Sequence, residues 1–343
     1  MIAAHLPDRK SGRLLAVDAD GGIQHLCRAD LSTLFRSGDL VVANDAATLP
    51  ASLHGQHRPT GEPVEIRLAA FVTAGDPTRF LAIAFGAGDY HTLTENRAKP
   101  PMLSPGDHLL LGPLVAVVES VLDHPRLLKL RFQGESSEIL AGLAQHGRPI
   151  QYAHVPAPLP LWDVWTSLAA EPFAFEAPSA GFALDWQTLT TWQRRGIELA
   201  TLTHAAGISS TGDTDLDARL PFDEPYIIPG NTAAAIRRTR ARGGRVIAIG
   251  TTVVRALEAA ATTHGTVHPG NGVARGRIGP ETRLRVTDTI LTGMHEPGES
   301  HFELLRAFTD DPVLHSVHQT AVERRYRTHE FGDSLLIERR NAA

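Results

Sequence analysis

Cysteine and lysine are scarce in this 343-residue chain, which contains one cysteine, Cys27, and three lysines. A single thiol excludes an internal disulfide and any zinc or iron–sulfur site made of several cysteines. This cysteine usage is typical of a reducing compartment. The sequence therefore predicts a cytoplasmic protein.

Long apolar runs are also absent. The most apolar stretch, residues 109–122, is interrupted by Gly112, Pro113 and Glu119, and the first ten residues lack a basic start followed by an apolar stretch. A membrane-spanning helix needs about 20 predominantly apolar residues, so we predict neither a signal peptide nor a membrane span. The motifs Gly-x-Ser-x-Gly and His-Glu-x-x-His are missing too, which leaves hydrolase and metalloprotease interpretations without support.

After residue 231 every basic residue other than histidine is an arginine. The formal net charge is −5, yet the acidic excess lies in residues 1–230, and residues 231–343 carry a basic excess. The arginines cluster at residues 237–245, 275–285 and 324–327. Such clusters can contact the phosphates of a nucleic acid. They can equally be solvated surface charges in a chain whose main cation is arginine.

The spacing of apolar residues divides the chain into two kinds of pattern. Between residues 55 and 150, short strand patterns alternate with Gly-Asp and Pro-Gly-Asp turns, which favours a small barrel or sandwich. From residue 151 onwards strands alternate with helices, for example a helix over 232–242 and a strand over 246–249, followed by a glycine-rich loop over 262–279. This alternation predicts an α/β fold with a mixed, largely parallel sheet.

The stretch RVIAIGTTVVRALEA, residues 245–259, passes from a strand pattern to a helix pattern across Gly250 and two threonines. It is neither a dinucleotide fingerprint nor a Walker A loop, because it has one glycine and no Gly-Lys-Ser/Thr. A glycine, two hydroxyls and the free amides of a helix N-terminus suit a carboxylate, phosphate or ribose oxygen. Alternatively, a threonine is an ordinary N-cap and Arg255 forms a surface pair with Glu258.

A second cluster of polar residues, TGMHEPGESH, spans residues 292–301. His295 and His301 are separated by Pro297 and Gly298, which matches no zinc-binding spacing, so we predict no metal site. In a turn, His295 is suited to hydrogen bonding or proton transfer, although a purely structural histidine would look the same.

Seven segments, taken in order, resemble the S-adenosylmethionine:tRNA ribosyltransferase-isomerase family of queuosine biosynthesis. The resemblance spans nearly the full length. The segments are Ser11-Gly-Arg-Leu-Leu-Ala-Val-Asp, Ser37-Gly-Asp-Leu-Val-Val-Ala-Asn-Asp-Ala-Ala-Thr-Leu-Pro-Ala-Ser-Leu, Gly61-Glu-Pro-Val-Glu-Ile-Arg-Leu, Ala177-Pro-Ser-Ala-Gly, Gly250-Thr-Thr-Val-Val-Arg-Ala-Leu-Glu, Asp288-Thr-Ile-Leu-Thr-Gly-Met-His-Glu-Pro-Gly-Glu-Ser and Tyr326-Arg-Thr-His-Glu-Phe-Gly-Asp-Ser-Leu-Leu-Ile.

The resemblance implies an architecture and a reaction. It implies an α/β domain of residues 1–54 and 151–343, interrupted by a small inserted β-barrel domain of residues 55–150. It also implies transfer and isomerisation of the ribosyl group of S-adenosylmethionine onto a 7-aminomethyl-7-deazaguanine base in tRNA. S-adenosylmethionine is then a substrate, no cofactor or metal is expected, and the arginine-rich C-terminal third is the expected contact for tRNA.

The resemblance also suggests roles for individual residues. His295 is the candidate for proton transfer, and Glu224 or Asp45 is the candidate carboxylate that orients ribose hydroxyls. The expected substrate-binding residues are Asn44, Pro178, Ser179, Gly181, Gly250, Thr251, Thr252, Arg255, Ser300 and Asp333.

Several family residues are replaced in this chain. Ala183 stands where the family has a histidine, Ser52 stands where it has an arginine, and His204 is displaced by one position. These replacements leave two alternatives open. The chain can be a divergent paralogue that uses S-adenosylmethionine with a small-molecule acceptor, or a non-catalytic binding protein of the same fold.

Overall fold

The computed structural model describes residues 2–4, 12–261 and 265–340, and its largest element is a nine-stranded mixed sheet. In spatial order its strands are β16 (Gly270–Ala274), β14 (Glu224–Ile228), β13 (Glu198–His204), β4 (Leu40–Asn44), β15 (Val246–Ile249), β17 (Thr289–Gly293), β19 (Ser334–Glu338), β2 (Arg13–Val17) and β3 (Ile23–Cys27). The four strands β13, β4, β15 and β17 are parallel to one another, and β19 is parallel to β2. The remaining neighbouring pairs are antiparallel. The predicted mixed α/β sheet is therefore confirmed.

Central strands of this sheet are buried on both faces, which explains their continuous apolar sequences. In β4, Leu40 and Val42 pack into one core, and Val41 and Ala43 pack into another on the opposite face. Helices cover both faces. Those on one face are α1 (Leu31–Leu34) and α3 (Trp186–Arg194), and those on the other are α5 (Gly230–Ala241), α6 (Thr251–Ala260), α7 (Ser300–Leu305) and α8 (Asp311–Glu323). Two further helices, α2 (Ser136–His146) and α4 (Thr214–Asp217), pack against the core of a second unit.

A closed antiparallel barrel of six strands forms the second unit. Its strands in order around the barrel are β10 (Leu114–Val121), β11 (Leu127–Phe132), β8 (Arg79–Phe85), β7 (Pro63–Phe71), β6 (Ser52–His57) and β9 (His108–Leu111). The expectation of a small β-barrel is confirmed, and its first strand begins at Ser52. The division of the chain into domains at residues 54 and 150 stays a prediction.

Two short parallel pairs complete the described strands. The barrel is flanked by β5 (Ala46–Thr48) and β12 (Glu171–Ala174), which pair with each other, so the chain leaves and re-enters the α/β unit at one place. The other pair joins β1 (Ile2–Ala3) to β18 (Arg327–Thr328). None of the helices in the described residues is long and apolar enough to cross a membrane.

The prediction of a loop over residues 262–279 is wrong in part. Residues 262–264 lie outside the described residues, but β16 at Gly270–Ala274 is a strand that pairs with β14. Its sequence, Gly-Asn-Gly-Val-Ala, has no alternation of apolar and polar residues. Backbone pairing at the sheet edge, rather than side-chain burial, therefore stabilises this strand, and a pattern search does not detect it.

The aromatic contacts in the core of the barrel can be tested by mutation. Phe80 is fully buried, with its ring centroid 5.7 Å from that of Phe132 and 6.0 Å from that of Phe175. We expect Phe80→Ala to lower the free energy of unfolding by about 3–5 kcal/mol, because it removes these contacts and leaves a cavity. Urea unfolding measures the change. The control is Val322→Ala, at a side chain that is 45% exposed, and its free energy of unfolding should stay within about 0.5 kcal/mol of wild type. Equal losses of stability in both variants would contradict the proposed role of Phe80 in the barrel core.

Candidate active site

The carboxyl ends of four adjacent parallel strands meet at one edge of the sheet. There β13 ends at His204, β4 ends at Asn44, β15 is followed by Gly250, and β17 is followed closely by His295. In open α/β sheets ligands bind in the crevice outside the carboxyl ends of the strands. This edge is therefore where a ligand site is expected.

Gly250 joins β15 to α6 in a conformation that favours glycine. Its φ is +96° and its ψ is 156°, and a Cβ added there would lie 3.4 Å from the Cβ of Ala180. Ala180 belongs to the 3-10 helix Ser179–Ala183, so the Ala177-Pro-Ser-Ala-Gly segment packs against the junction. Gly250 is itself the N-cap of α6 and supplies no side-chain bond, so the alternative of a threonine N-cap is wrong.

A small cleft opens at the N-terminus of α6. Five of the predicted site residues line it, namely Glu224, Thr251, Thr252, Arg255 and Ser300. His301 and Arg277 line it as well. The cleft thus combines hydroxyl groups, a helix N-terminus and charged side chains, which suits a ligand that carries a carboxylate and hydroxyls.

Glu224 and Arg255 form a buried ion pair in the wall of this cleft. The Arg255 Nε donates to Glu224 Oε2 at 2.9 Å, and the Gly207 amide donates to Glu224 Oε1 at 2.9 Å. Arg255 also donates to the backbone oxygens of Ala274 and Gly276. Burial raises the pKa of Glu224, and Arg255 and the Gly207 amide limit the rise. Arg255 therefore pairs with Glu224, and the alternative of a surface pair on α6 is wrong.

His204 lies behind this pair and is completely buried. Its Nε2 is 3.5 Å from Glu224 Oε2. Burial, together with the charge of Arg255, lowers the pKa of His204 to about 3, so the ring is neutral at neutral pH. Asn44 holds the backbone of His204 at both ends, because its amide donates to the His204 oxygen at 2.9 Å and accepts from the His204 amide at 3.0 Å.

His295 and His301 stack beside the cleft, with their ring centroids 4.8 Å apart. The Nε2 of His295 is 3.0 Å from the hydroxyl of Thr292, and its Nδ1 is 3.6 Å from Glu299 Oε2. Burial, with a smaller contribution from the neighbouring His295, lowers the pKa of His301 to about 3. A half-buried imidazole that a hydroxyl and a carboxylate orient has the arrangement of a proton-transfer group.

Two predicted carboxylates lie outside the cleft lining. Asp45 accepts a hydrogen bond from the Thr203 hydroxyl at 2.7 Å. Asp333 is fully buried and accepts from the backbone amides of Arg13 at 2.9 Å and Arg327 at 2.8 Å, and also from the Arg13 guanidinium. Asp333 therefore connects β2 to the first residue of β18. Substrate binding by Asp45 and Asp333 stays a prediction.

The sequence analysis missed a tyrosine–glutamate pair near this edge. The Tyr152 hydroxyl donates a short hydrogen bond to Glu176 Oε1, and the Glu176 amide donates to the Ala206 oxygen at 3.2 Å, next to the Gly207 amide that binds Glu224. Burial raises the pKa of Glu176 to about 7. The glutamate directly precedes the Ala177-Pro-Ser-Ala-Gly segment, but no spacing rule connects it to a tyrosine 24 positions earlier.

This raised pKa predicts a dependence of stability on pH. An unfolded glutamate ionises near pH 4.5, whereas folded Glu176 ionises near pH 7. Between these values the unfolded chain has released a proton that the folded chain retains, so the free energy of unfolding falls as the pH rises. In Glu176→Gln this contribution disappears, and we expect the stability of the variant relative to wild type to rise by roughly 3 kcal/mol at most across that range.

Denaturant unfolding at a series of pH values measures this dependence. The control Glu171→Gln changes an exposed glutamate and should reproduce the wild-type pH profile. A Glu176→Gln profile that runs parallel to that of wild type would show that Glu176 ionises normally in the folded chain.

Comparisons with known proteins identify the family of this chain. The model of a family described as queuosine biosynthesis protein matches residues 1–337. The S-adenosylmethionine:tRNA ribosyltransferase-isomerase of Citrifermentans bemidjiense is 34% identical over 345 residues, which cover 98% of this chain and 96% of the relative. The enzyme of the same name from Sorangium cellulosum is 34% identical over 361 residues, which cover 98% of this chain and 95% of the relative.

A solved structure shares the fold. It is the crystal structure of S-adenosylmethionine tRNA ribosyltransferase from Thermotoga maritima, with a TM-score of 0.52, 22% identity, and coverage of 98% of this chain and 96% of that chain. The family resemblance predicted from seven sequence segments is thus confirmed by a match over nearly the whole length. The chain belongs to the S-adenosylmethionine:tRNA ribosyltransferase-isomerase family of queuosine biosynthesis.

Proposed function

We propose that the cleft at the N-terminus of α6 binds S-adenosylmethionine and that this chain transfers its ribosyl group to a 7-aminomethyl-7-deazaguanine base in tRNA. The observation that carries the proposal is the junction at Gly250, where the first turn of α6 opens into a cleft beside two threonines. Free amides at a helix N-terminus bind carboxylates, and S-adenosylmethionine carries one. The hydroxyls of Thr251, Thr252 and Ser300 suit its polar groups.

The reaction needs a base at the ribose carbon next to the sulfonium. The positive sulfur acidifies that carbon, and a base removes the proton, after which adenine leaves. The amine of the deazaguanine base then attacks the rearranged sugar, and methionine is released. His295 is our candidate base, because Thr292 and Glu299 orient its ring at the end of β17.

Of the two candidate carboxylates, Glu224 is the better placed to orient ribose hydroxyls. It lines the cleft, and its oxygens accept from Arg255 and Gly207, which fixes their position without using every lone pair. Asp45 is bonded to Thr203 at the end of β4. Because Arg255 and Gly207 hold the Glu224 carboxylate in place, it needs little reorganisation when a substrate hydroxyl binds.

We also propose that exposed arginines in the C-terminal third contact tRNA in the cytoplasm. The arginines of this region differ in how they are used. Arg240 and Arg245 form ion pairs with Asp288 and Asp39, at 3.2 Å and 2.7 Å, and therefore connect elements of the fold. The exposed arginines of the predicted clusters are Arg237, Arg238, Arg242, Arg275, Arg277, Arg283, Arg285, Arg324 and Arg325. Such side chains can reach phosphates, and binding through them weakens as salt increases.

Adenine release tests the proposed reaction. Purified protein is incubated with S-adenosylmethionine, with and without tRNA that carries the aminomethyl-deazaguanine base, and adenine is followed by chromatography. We expect adenine only in the presence of this tRNA. Adenine without tRNA would favour the small-molecule acceptor that the replaced family residues leave open. Binding of S-adenosylmethionine without adenine in either tube would favour a non-catalytic protein.

Replacing His295 tests its role in proton transfer. We expect His295→Ala to lower the turnover of adenine release about 10²–10⁴-fold, because a positioned general base contributes this much. The affinity for S-adenosylmethionine, measured by calorimetry, should change little. The matched control is His318→Ala, since His318 is also half-buried and lies 3.2 Å from a glutamate, Glu296. Equal turnover in both variants would remove His295 from the mechanism.

A further inference from the structure

Three potential metal ligands converge from two distant segments of the chain. The ligand atoms of His154, His329 and Glu330 all lie within 4.8 Å of one another. His154 belongs to the proline-rich passage between the barrel and β12, and His329 and Glu330 follow β18. His154 and Glu330 are 176 positions apart, so no spacing rule could reveal the group.

The arrangement of the side chains is specific. The Nε2 of His154 is 3.2 Å from Glu330 Oε2, and the rings of His154 and His329 are stacked with centroids 4.2 Å apart. His329 has a positive φ of 68°, in the left-handed region. Successive residues of an extended chain point to opposite sides. The left-handed backbone at His329 departs from this rule, and both His329 and Glu330 face His154.

We propose that His154, His329 and Glu330 bind a divalent first-row transition-metal ion such as Zn²⁺ or Co²⁺. Two imidazoles and one carboxylate are the donor set that these ions prefer, whereas Mg²⁺ and Ca²⁺ prefer oxygen ligands alone. Donor atoms around such an ion are about 3–3.5 Å apart, given metal–ligand distances of about 2.0–2.2 Å. The His154–Glu330 separation already meets this spacing. The ligand nitrogen of His329 lies within 4.8 Å of both, and it closes the group when its ring rotates out of the stack on His154.

The ion would retain an open position. Three protein ligands leave at least one coordination site for water or a ligand, as in catalytic rather than structural zinc sites. His329 is exposed, so that position faces solvent. The backbone oxygen of His329 lies 3.9 Å from where a Cβ on Gly293 would stand, which places the group beside the end of β17 and the candidate active site.

Metal binding by the full chain tests the proposal without reference to activity. Untagged protein is treated with a chelator and titrated with Co²⁺, followed by visible absorption, and with Zn²⁺, followed by calorimetry. We expect one ion per chain. His154→Ala and His329→Ala should each weaken binding by more than about 100-fold, since even outer-shell changes cost about 10–100-fold. Glu330→Gln should do the same and change the Co²⁺ spectrum.

The controls separate loss of a ligand from loss of the fold. His315→Ala removes an exposed histidine on α8 and should bind as wild type does. His329 is exposed, so His329→Gln should keep the metal-free thermal midpoint of wild type while losing the ion. The proposal would be overturned if wild type bound no more Co²⁺ than His154→Ala does. It would also be overturned if His329→Gln bound the ion as tightly as wild type.

Discussion

The buried ion pair between Glu224 and Arg255 connects the parts of the chain that form the cleft. Arg255 stands in α6, and Glu224 stands in β14 and accepts from the amide of Gly207, just beyond β13. Arg255 also binds the backbone oxygens of Ala274 and Gly276 at the edge of the sheet. Loss of either partner would leave a buried charge alone, which typically costs about 3–5 kcal/mol. The helix whose N-terminus forms the cleft is therefore held by the residues that line the cleft.

Burial also determines the protonation of two histidines near this edge. His204 and His301 are kept neutral because a charged imidazole loses its hydration there. His295 lies between a hydroxyl and the carboxylate of Glu299. The His295 ring at the end of β17 is thus oriented by a hydroxyl and a carboxylate, and the His301 ring stacked on it is kept neutral by burial.

Local patterns predicted much of the fold and a part of the site. Strand β15 has the predicted bounds because its continuous apolar run lies between Arg245 and Gly250, and Gly250 was identified because a strand, a glycine and a helix follow one another directly. Tyr152 with Glu176 and His154 with Glu330 were missed, since their partners are 24 and 176 positions apart. Such pairs arise only when folding brings distant segments of the chain together, and periodicity carries no information about them.

The place of β2 in the sheet has a consequence for biosynthesis. Strand β2 pairs with β19, and Arg13 binds Asp333 across 320 positions. At roughly 5–20 residues per second, the ribosome needs tens of seconds to make the intervening chain. During that time β19 has not been synthesised, so the edge of β2 that pairs with it stays unpaired. The barrel strands pair with strands that are near in sequence, so the barrel can already form. The barrel can therefore fold while the ribosome is still translating, whereas the sheet that carries the cleft is completed last.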